Sequence, residues 1–175
     1  MRSEGLRKLM LRTLVIGGVT LAAMVVSAAP AWAQWRVGPF LGGEHESSWD
    51  EFLVIGADAR GELSKNNLEL NPRISYFVRD FTTRFQIDMN VIKRLEVAGT
   101  SRIEPYVGTG LAFERISYDG SGFDNESALG FNYIVGATLK ASGRVQTFAQ
   151  FVYTVLQDSA NNAVVSVGVH FKLSK

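Results

Sequence analysis

The sequence predicts an all-β protein: an eight-stranded antiparallel transmembrane β-barrel that follows a cleaved N-terminal signal peptide. Two observations predict this fold. Apolar residues alternate with small or polar ones in several runs along the chain, and the chain opens with an export signal. A membrane barrel requires this combination, because each strand presents apolar side chains to lipid and polar side chains to the lumen.

Residues 1–33 have the composition of a signal peptide. An apolar segment, Leu14–Val26, is followed by Ala31-Trp32-Ala33, which fits cleavage before Gln34. The basic residues that precede the apolar segment are Arg2, Arg7, Lys8 and Arg12. An uncleaved membrane anchor is the alternative, but Pro30 and the A-x-A ending favour cleavage. We therefore predict a signal peptide over 1–33 and one barrel domain over 34–175.

Composition limits the function classes. The chain contains 18 basic and 17 acidic residues, of which 4 and 1 lie in the first 33, so the predicted mature chain has 14 and 16 and a net charge of −2. This charge gives no electrostatic case for binding nucleic acid. No cysteine is present, which excludes a lipoprotein and disulfides. After residue 33, no apolar run approaches the roughly 20 residues of a membrane helix.

Eight runs alternate with the period of a strand. The most regular is the last, where Val165, Val167, Val169, Phe171 and Leu173 form one face and Ser166, Gly168, His170 and Lys172 form the other. The other runs are 34–44, 52–63, 68–79, 84–91, 103–114, 131–140 and 145–155, the first two being less regular. An even number of strands is typical of a bacterial membrane barrel, and eight is the smallest common size.

A soluble lipocalin-like barrel would show the same alternation, with its faces reversed. Three features favour the membrane barrel: the export signal, small residues on the polar faces that suit a narrow lumen, and aromatic residues near strand ends. These aromatic residues are Trp35, Tyr76, Phe81, Phe131 and Phe171. If both termini lie in the periplasm, the longest polar loop, Tyr118–Ser127, is extracellular and the tight Ala141–Arg144 connection is periplasmic.

Three short motifs are spread over the chain after residue 33: S-Y-F-V-R-D at 75–80, P-Y-V-G-T-G-L at 105–111 and G-V-H-F-K-L at 168–173. They resemble motifs of the OmpA-like, "outer membrane protein β-barrel domain" group of small barrels. The resemblance implies that the barrel-assembly machinery reads the last strand, through Val165, Val167, Val169, Phe171 and Leu173. Leu173 replaces the usual aromatic residue, and Ser75 replaces the usual glycine. In related barrels the segment around Ser75 often leads into a short periplasmic turn, which would remove one of the first two strands.

The polar faces carry charges of both signs, which predict an interior plugged by salt bridges. The predicted lumen charges are Arg73, Arg84, Asp88, Glu104, Glu114, Lys140, His170 and Lys172. An open aqueous channel needs about 16 strands. Two histidines and no cysteine leave little material for a metal site, so we expect no catalytic residue, no metal and no cofactor. His45 lies near Ser47 and Ser48, but sequence proximity does not show contact, and the H-x-S-N segment of barrel deacylases is missing.

The sequence therefore predicts a protein of the cell outer membrane with a structural or surface-interaction role. Its expected partners are outer-membrane lipid, lipopolysaccharide, the barrel-assembly machinery and an unspecified external partner. The candidate contact residues in the outer loop are Tyr118, Asp119, Phe123 and Asp124. The alternative is a narrow porin-like channel or a binder of a small hydrophobic ligand. A lipid A-modifying enzyme and a soluble periplasmic lipocalin-like carrier are less favoured.

Overall fold

The computed structural model describes most of the chain after residue 33, in segments that cover the strands and part of the turns. The described residues are 34–45, 51–64, 66–78, 82–97, 102–118, 126–139, 144–157 and 160–173. The predicted signal peptide lies outside them. The strands are β1 (Trp35–His45), β2 (Glu51–Ser64), β3 (Leu68–Val78), β4 (Thr82–Arg94), β5 (Ile103–Tyr118), β6 (Glu126–Leu139), β7 (Val145–Leu156) and β8 (Asn162–Lys172). No helix in the described part of the chain is long and apolar enough to cross a membrane.

Each strand pairs antiparallel with the next, and β8 returns to β1, so the sheet closes into a barrel of eight strands. The predicted fold class is confirmed. The first two strands are both present and paired from Trp35↔Gly61 to His45↔Glu51. The alternative in which one of them is lost is therefore wrong.

The predicted boundaries of the long loop are also wrong. The pairs Thr82↔Tyr118 and Ile116↔Glu126 continue the ladder on both sides of β5. Tyr118 is therefore the last residue of β5, and Glu126 and Ser127 belong to β6. The polar composition of these residues predicts a loop, but pairing with neighbouring strands satisfies their backbone groups.

The two faces of the sheet differ as they do in a membrane barrel. Large apolar side chains are exposed on the outer face of the strands, including Leu111 at 58%, Phe131 at 59% and Val165 at 59%. Charged and amide side chains occupy the inner face and are buried there. A soluble carrier requires the reverse distribution, because water must contact its outer face. The aromatic residues Phe131 and Phe171 are exposed outside, Tyr76 is half-buried, Trp35 is buried, and Phe81 lies outside the described residues.

Two inward-facing apolar clusters lie among the polar residues. One contains Phe40, Val54, Phe77, Phe148 and Val164, and the other contains Ile92, Tyr106, Ile134 and Val152. Gly168 makes room for the first cluster: a Cβ placed there would lie 2.6 Å from Cζ of Phe148 and 2.7 Å from the carbonyl oxygen of Pro39. The narrow lumen is therefore filled by side chains, as expected for eight strands.

The connection between β2 and β3 is tight. Asn67 has a positive φ of 60°, a conformation that asparagine tolerates better than most residues. Its carbonyl oxygen accepts a hydrogen bond from the Arg94 backbone N–H at 2.9 Å, and its side chain donates to Glu96 at 3.0 Å. These two bonds connect the β2–β3 turn to the end of β4. The turn lies at the same end of the barrel as the start of β1 and the end of β8.

Candidate functional site

The barrel interior is the candidate site, because it concentrates the ionisable side chains. At the end away from the termini, Arg84 lies between two carboxylates. Its Nη1 donates to Glu44 at 2.8 and 3.0 Å, and its Nη2 donates to Glu114 at 2.7 Å. The guanidinium also lies 4.3 Å from the centre of the Phe77 ring. All four side chains are buried, so this cluster fills its level of the lumen with a desolvated ion triad beside an aromatic ring.

A series of neutral side chains leads down from this triad. Asn162 donates to Glu114 at 3.3 Å and to Gln86 at 3.2 Å, and Gln86 donates to Asp88 at 2.7 Å. The series continues through Gln86, Thr154, Asn132 and Asn90, joined by hydrogen bonds of 3.4, 2.8 and 2.9 Å. Every side chain in it is fully buried. These bonds replace most of the water contacts that the side chains lose on burial, although Asn90 Nδ2 and Asn162 Oδ1 have no hydrogen-bond partner among the described residues.

In the middle part of the lumen, His170 contacts Asp58. Nε2 of His170 lies 2.5 Å from Oδ1 of Asp58, and Asn71 donates to the other carboxylate oxygen at 3.1 Å. The imidazole stacks on Phe148, with ring centres 4.4 Å apart. The Arg73 guanidinium lies 4.0 Å from the centre of the Phe40 ring. Aromatic rings and paired charges therefore share this level of the lumen.

Arg60 organises the next level. It donates to the hydroxyl of Tyr106 at 2.7 Å and to Thr138 at 3.2 Å, while its guanidinium lies 4.3 Å from the Tyr106 ring centre. The Tyr106 hydroxyl donates in turn to Gln150 at 3.0 Å. The planar guanidinium suits this position, because it stacks on a ring while its edge donates several hydrogen bonds.

A further ion network lies at the end that carries the termini. Arg36 pairs with Glu69 and donates to Gln146 at 2.9 Å. Arg94 lies 3.2 Å from the same carboxylate and 2.9 Å from Glu62. The lumen is thus crossed by charge pairs at both ends and in the middle. Among the described residues, no group of three or more His, Asp or Glu side chains is arranged to hold a metal ion.

The structure places most of the predicted lumen charges inside the barrel. Arg73, Arg84, Asp88, Glu114 and His170 are buried on the inner face. Glu104 is half-buried near the termini, and Lys140 lies outside the described residues. Lys172 has the inner-face parity of β8 but is exposed at the end of that strand.

Eight side chains of the lumen network are absent from the predicted set. The missed side chains are Arg36, Glu44, Asp58, Arg60, Glu62, Glu69, Arg94 and Tyr106. Most lie on β1 and β2, where glycines and a proline obscure the alternation, or at strand ends. The alternation along each strand could have predicted them, since each of these residues occupies a position on the polar face of its strand.

The remaining predicted positions lie outside the lumen or outside the described residues. The proposed assembly residues Val165, Val167, Val169, Phe171 and Leu173 face outwards, with Val165, Val167, Phe171 and Leu173 well exposed. Of the loop candidates, Tyr118 is half-buried at the end of β5, and Asp119, Phe123 and Asp124 lie outside the described residues. His45 is exposed, whereas the adjacent Glu44 points into the lumen, and Ser47 and Ser48 lie outside the described residues.

Comparison with known proteins shows the class of fold. No protein-family model and no curated protein sequence matches the chain. Solved structures do match. Neisserial surface protein A (NspA) has a TM-score of 0.64 at 16% identity, covering 81% of this chain and 97% of its own. The N-terminal β-barrel domain of Pseudomonas aeruginosa OprF has a TM-score of 0.63 at 16% identity, covering 81% and 99%.

A third similar structure is Ail, the attachment invasion locus protein of Yersinia pestis, with a TM-score of 0.56 at 12% identity, covering 81% of this chain and 97% of its own. The fold of this chain is therefore that of the small eight-stranded outer-membrane β-barrels, as the three motifs predict. At these identities the likeness concerns the fold.

Proposed function

We propose that the mature chain is an integral outer-membrane barrel with a structural or surface-interaction role and no catalysis. The observation that carries this proposal is the filled interior. The ion triad around Arg84, the His170–Asp58 pair and the network at Glu69 occupy the lumen at three levels. A lumen filled in this way directs attention to the two surfaces that remain, the lipid-facing wall and the outer loops.

The outer face supports the membrane placement. Exposed leucine, valine and phenylalanine side chains surround the barrel, and such a surface is stable only against hydrocarbon. With an even number of strands, both termini lie at one end, which we assign to the periplasm. Outer-membrane lipid and lipopolysaccharide are then the immediate partners, and the outward residues of β8 are the proposed signal for the assembly machinery. Two similar folds have names that denote surface roles, Neisserial surface protein A and the attachment invasion locus protein.

Two measurements test the placement. The protein is expressed with its own N-terminal segment, cell envelopes are fractionated, and the extracted protein is run on semi-native gels before and after boiling. We expect it in the outer-membrane fraction, with slower migration after boiling as the compact barrel unfolds. A soluble periplasmic protein with no gel shift would contradict the proposal and favour a carrier with the faces of the sheet reversed.

The surface role is tested in the loop that contains Asp119, Phe123 and Asp124. Replacing 119–125 with a Gly-Ser segment of equal length removes these candidates, and replacing 141–143 in the short connection is the matched control. We expect the first replacement alone to reduce attachment of whole cells to host-type surfaces, with both variants still heat-modifiable. Equal attachment by both variants would exclude this loop as the contact surface.

A narrow conduit for protons or small ions is the second candidate. One observation favours it: hydrogen-bonded polar side chains extend from Glu114 through Asn162 and Gln86 to Asn132. In planar bilayers, Arg84→Met or Glu104→Gln should then change the conductance, which should remain far below that of an open porin because the lumen is filled. If both variants and the wild type show the same background current, the conduit is excluded.

A further inference from the structure

The lipid-facing wall of the barrel has a groove across β5 to β8, near the end that carries the termini. Its volume is about 520 Å³, and its lining is almost entirely apolar. Register explains its shape. One cross-strand row reads Ile103–Leu139–Thr147–Val169, and the next reads Pro105–Ala137–Ala149–Val167. The small side chains Ala137, Thr147 and Ala149 form the floor, because the row beyond them returns to the larger Val107–Val135–Phe151–Val165.

The wall behind the groove is held from inside. Gly168 lies at the groove, and the Phe148 ring packs so close to it that a Cβ on Gly168 would lie 2.6 Å from Cζ. Gly136, next to Ala137, accommodates Tyr106 in the same way. Arg60 and Gln150 in turn hold the Tyr106 hydroxyl at 2.7 and 3.0 Å. The floor therefore rests on a buried network and is formed before any ligand arrives.

Two exposed arginines lie just outside the strands at this end of the groove. Arg102 directly precedes Ile103, and Arg144 directly precedes Val145, the first residue of β7. Arg144 lies beside the end of β8, since its carbonyl oxygen accepts a hydrogen bond from the Lys172 backbone N–H at 2.9 Å. In the described part of β5–β8 at this end, the one acidic residue is Glu104, which is half-buried on the inner face. The opposite sector has mixed charges, with Glu62, Glu69 and Glu96 beside Arg36, Lys93 and Arg94.

We propose that this groove and its basic rim of Arg102 and Arg144 bind an anionic phospholipid of the periplasmic leaflet, with one acyl chain in the groove and the phosphate beside the two arginines. The inference rests on the proposed membrane placement and adds a specific lipid partner to it. Size supports an acyl chain: a cavity of about 150 Å³ holds one benzene, and this groove is several times larger.

Native mass spectrometry of the detergent-extracted barrel, titrated with phosphatidylglycerol or phosphatidylcholine, measures the site directly. Wild type should retain one phosphatidylglycerol in preference to phosphatidylcholine. Ala149→Phe fills the groove and should weaken retention at least tenfold. Ala57→Phe is the matched control, because Ala57 is an exposed outward alanine on β2, away from the groove, and it should bind as wild type does.

The rim is tested separately. Arg102→Gln and Arg144→Gln should each weaken phosphatidylglycerol retention about fivefold, the effect of one cation near an anionic lipid surface. Lys93→Gln, an exposed cation at the same barrel end on β4, is the control and should have no effect. Retention of phosphatidylcholine should not change with either rim substitution, since this lipid carries no net charge.

Three results would overturn the inference. The first is equal retention of phosphatidylglycerol by Ala149→Phe and Ala57→Phe. The second is equal binding of the two lipids, with no effect of the rim substitutions. The third is a dimer that Ala149→Phe dissociates, which would assign the groove to a second copy of the protein. The gel shift on boiling is measured for every variant. If the wild-type protein shows no shift, the proposed membrane placement itself is contradicted. If all variants show the shift but lipid binding is unselective, only the proposed lipid site is contradicted.

Discussion

Replacing Arg84 with methionine should destabilise the barrel severely. The change removes three hydrogen bonds of 2.7 to 3.0 Å, and with them the contacts of the Arg84 cation with Glu44 and Glu114, each of which is 1% exposed. Removing one partner of a buried ion pair costs about 3–5 kcal/mol, because the remaining charge stays desolvated. Asn162 still donates to Glu114 at 3.3 Å and offsets a small part of this loss. We therefore expect the free energy of unfolding to fall by about 3–5 kcal/mol.

The assay is urea unfolding of the refolded barrel in lipid vesicles, followed by tryptophan fluorescence and by the gel shift on boiling. With a denaturant slope of about 2 kcal/mol/M, the midpoint should move by roughly 2 M. Arg115→Met is the matched control: Arg115 is one position after Glu114 but exposed on the outer face, so its effect should stay within about 0.5 kcal/mol. Combining Arg84→Met with Glu44→Gln and Glu114→Gln should restore most of the loss, since the two carboxylate charges are removed together with the guanidinium charge.

A loss under about 1 kcal/mol for Arg84→Met, equal to that of Arg115→Met, would refute the reasoning, because it would mean that Glu44 and Glu114 reach water in the folded state. Failure of the triple variant to recover would also contradict it. In that case the cost would come from lost packing of Arg84 on Phe77 and not from unpaired charge.

Two further substitutions test the packing and the membrane face. Gly168→Ala brings a Cβ within 2.6 Å of the Phe148 ring and should lower the free energy of unfolding by about 1–3 kcal/mol in the same urea assay. Gly43→Ala is the control and should have no effect, because the nearest atom to its Cβ lies 4.0 Å away. Equal effects of the two substitutions would mean that the wall at Gly168 is not tightly packed. Leu111→Arg places a charge on the lipid face in the interior of β5 and should lower the free energy of unfolding in vesicles by about 2–4 kcal/mol. Ser127→Arg, near the start of β6, is the control and should lower it by about 1 kcal/mol or less. Equal losses would argue against a membrane-embedded apolar band.

Local periodicity determines which way each side chain points. Along a strand, successive side chains alternate between faces, so the parity of a residue assigns its face without knowledge of its neighbours. This is why His170 and Asp88 could be placed in the lumen, and Val165 and Phe171 on the outer face, from the sequence. Strand ends are less well determined, as Tyr118 and Glu126 show, because their pairing depends on partners elsewhere in the chain.

What the sequence determined by itself was therefore the strand number, the two faces and a lumen filled with charges of both signs. The tertiary structure decided which charge meets which. Arg84 and Glu44 are 40 residues apart, and His170 and Asp58 are 112 apart. Barrel closure and the register of every intervening strand bring them together, and neither is encoded at the positions themselves. The groove across β5–β8 has the same origin, since its small residues line up only when four strands adopt one register.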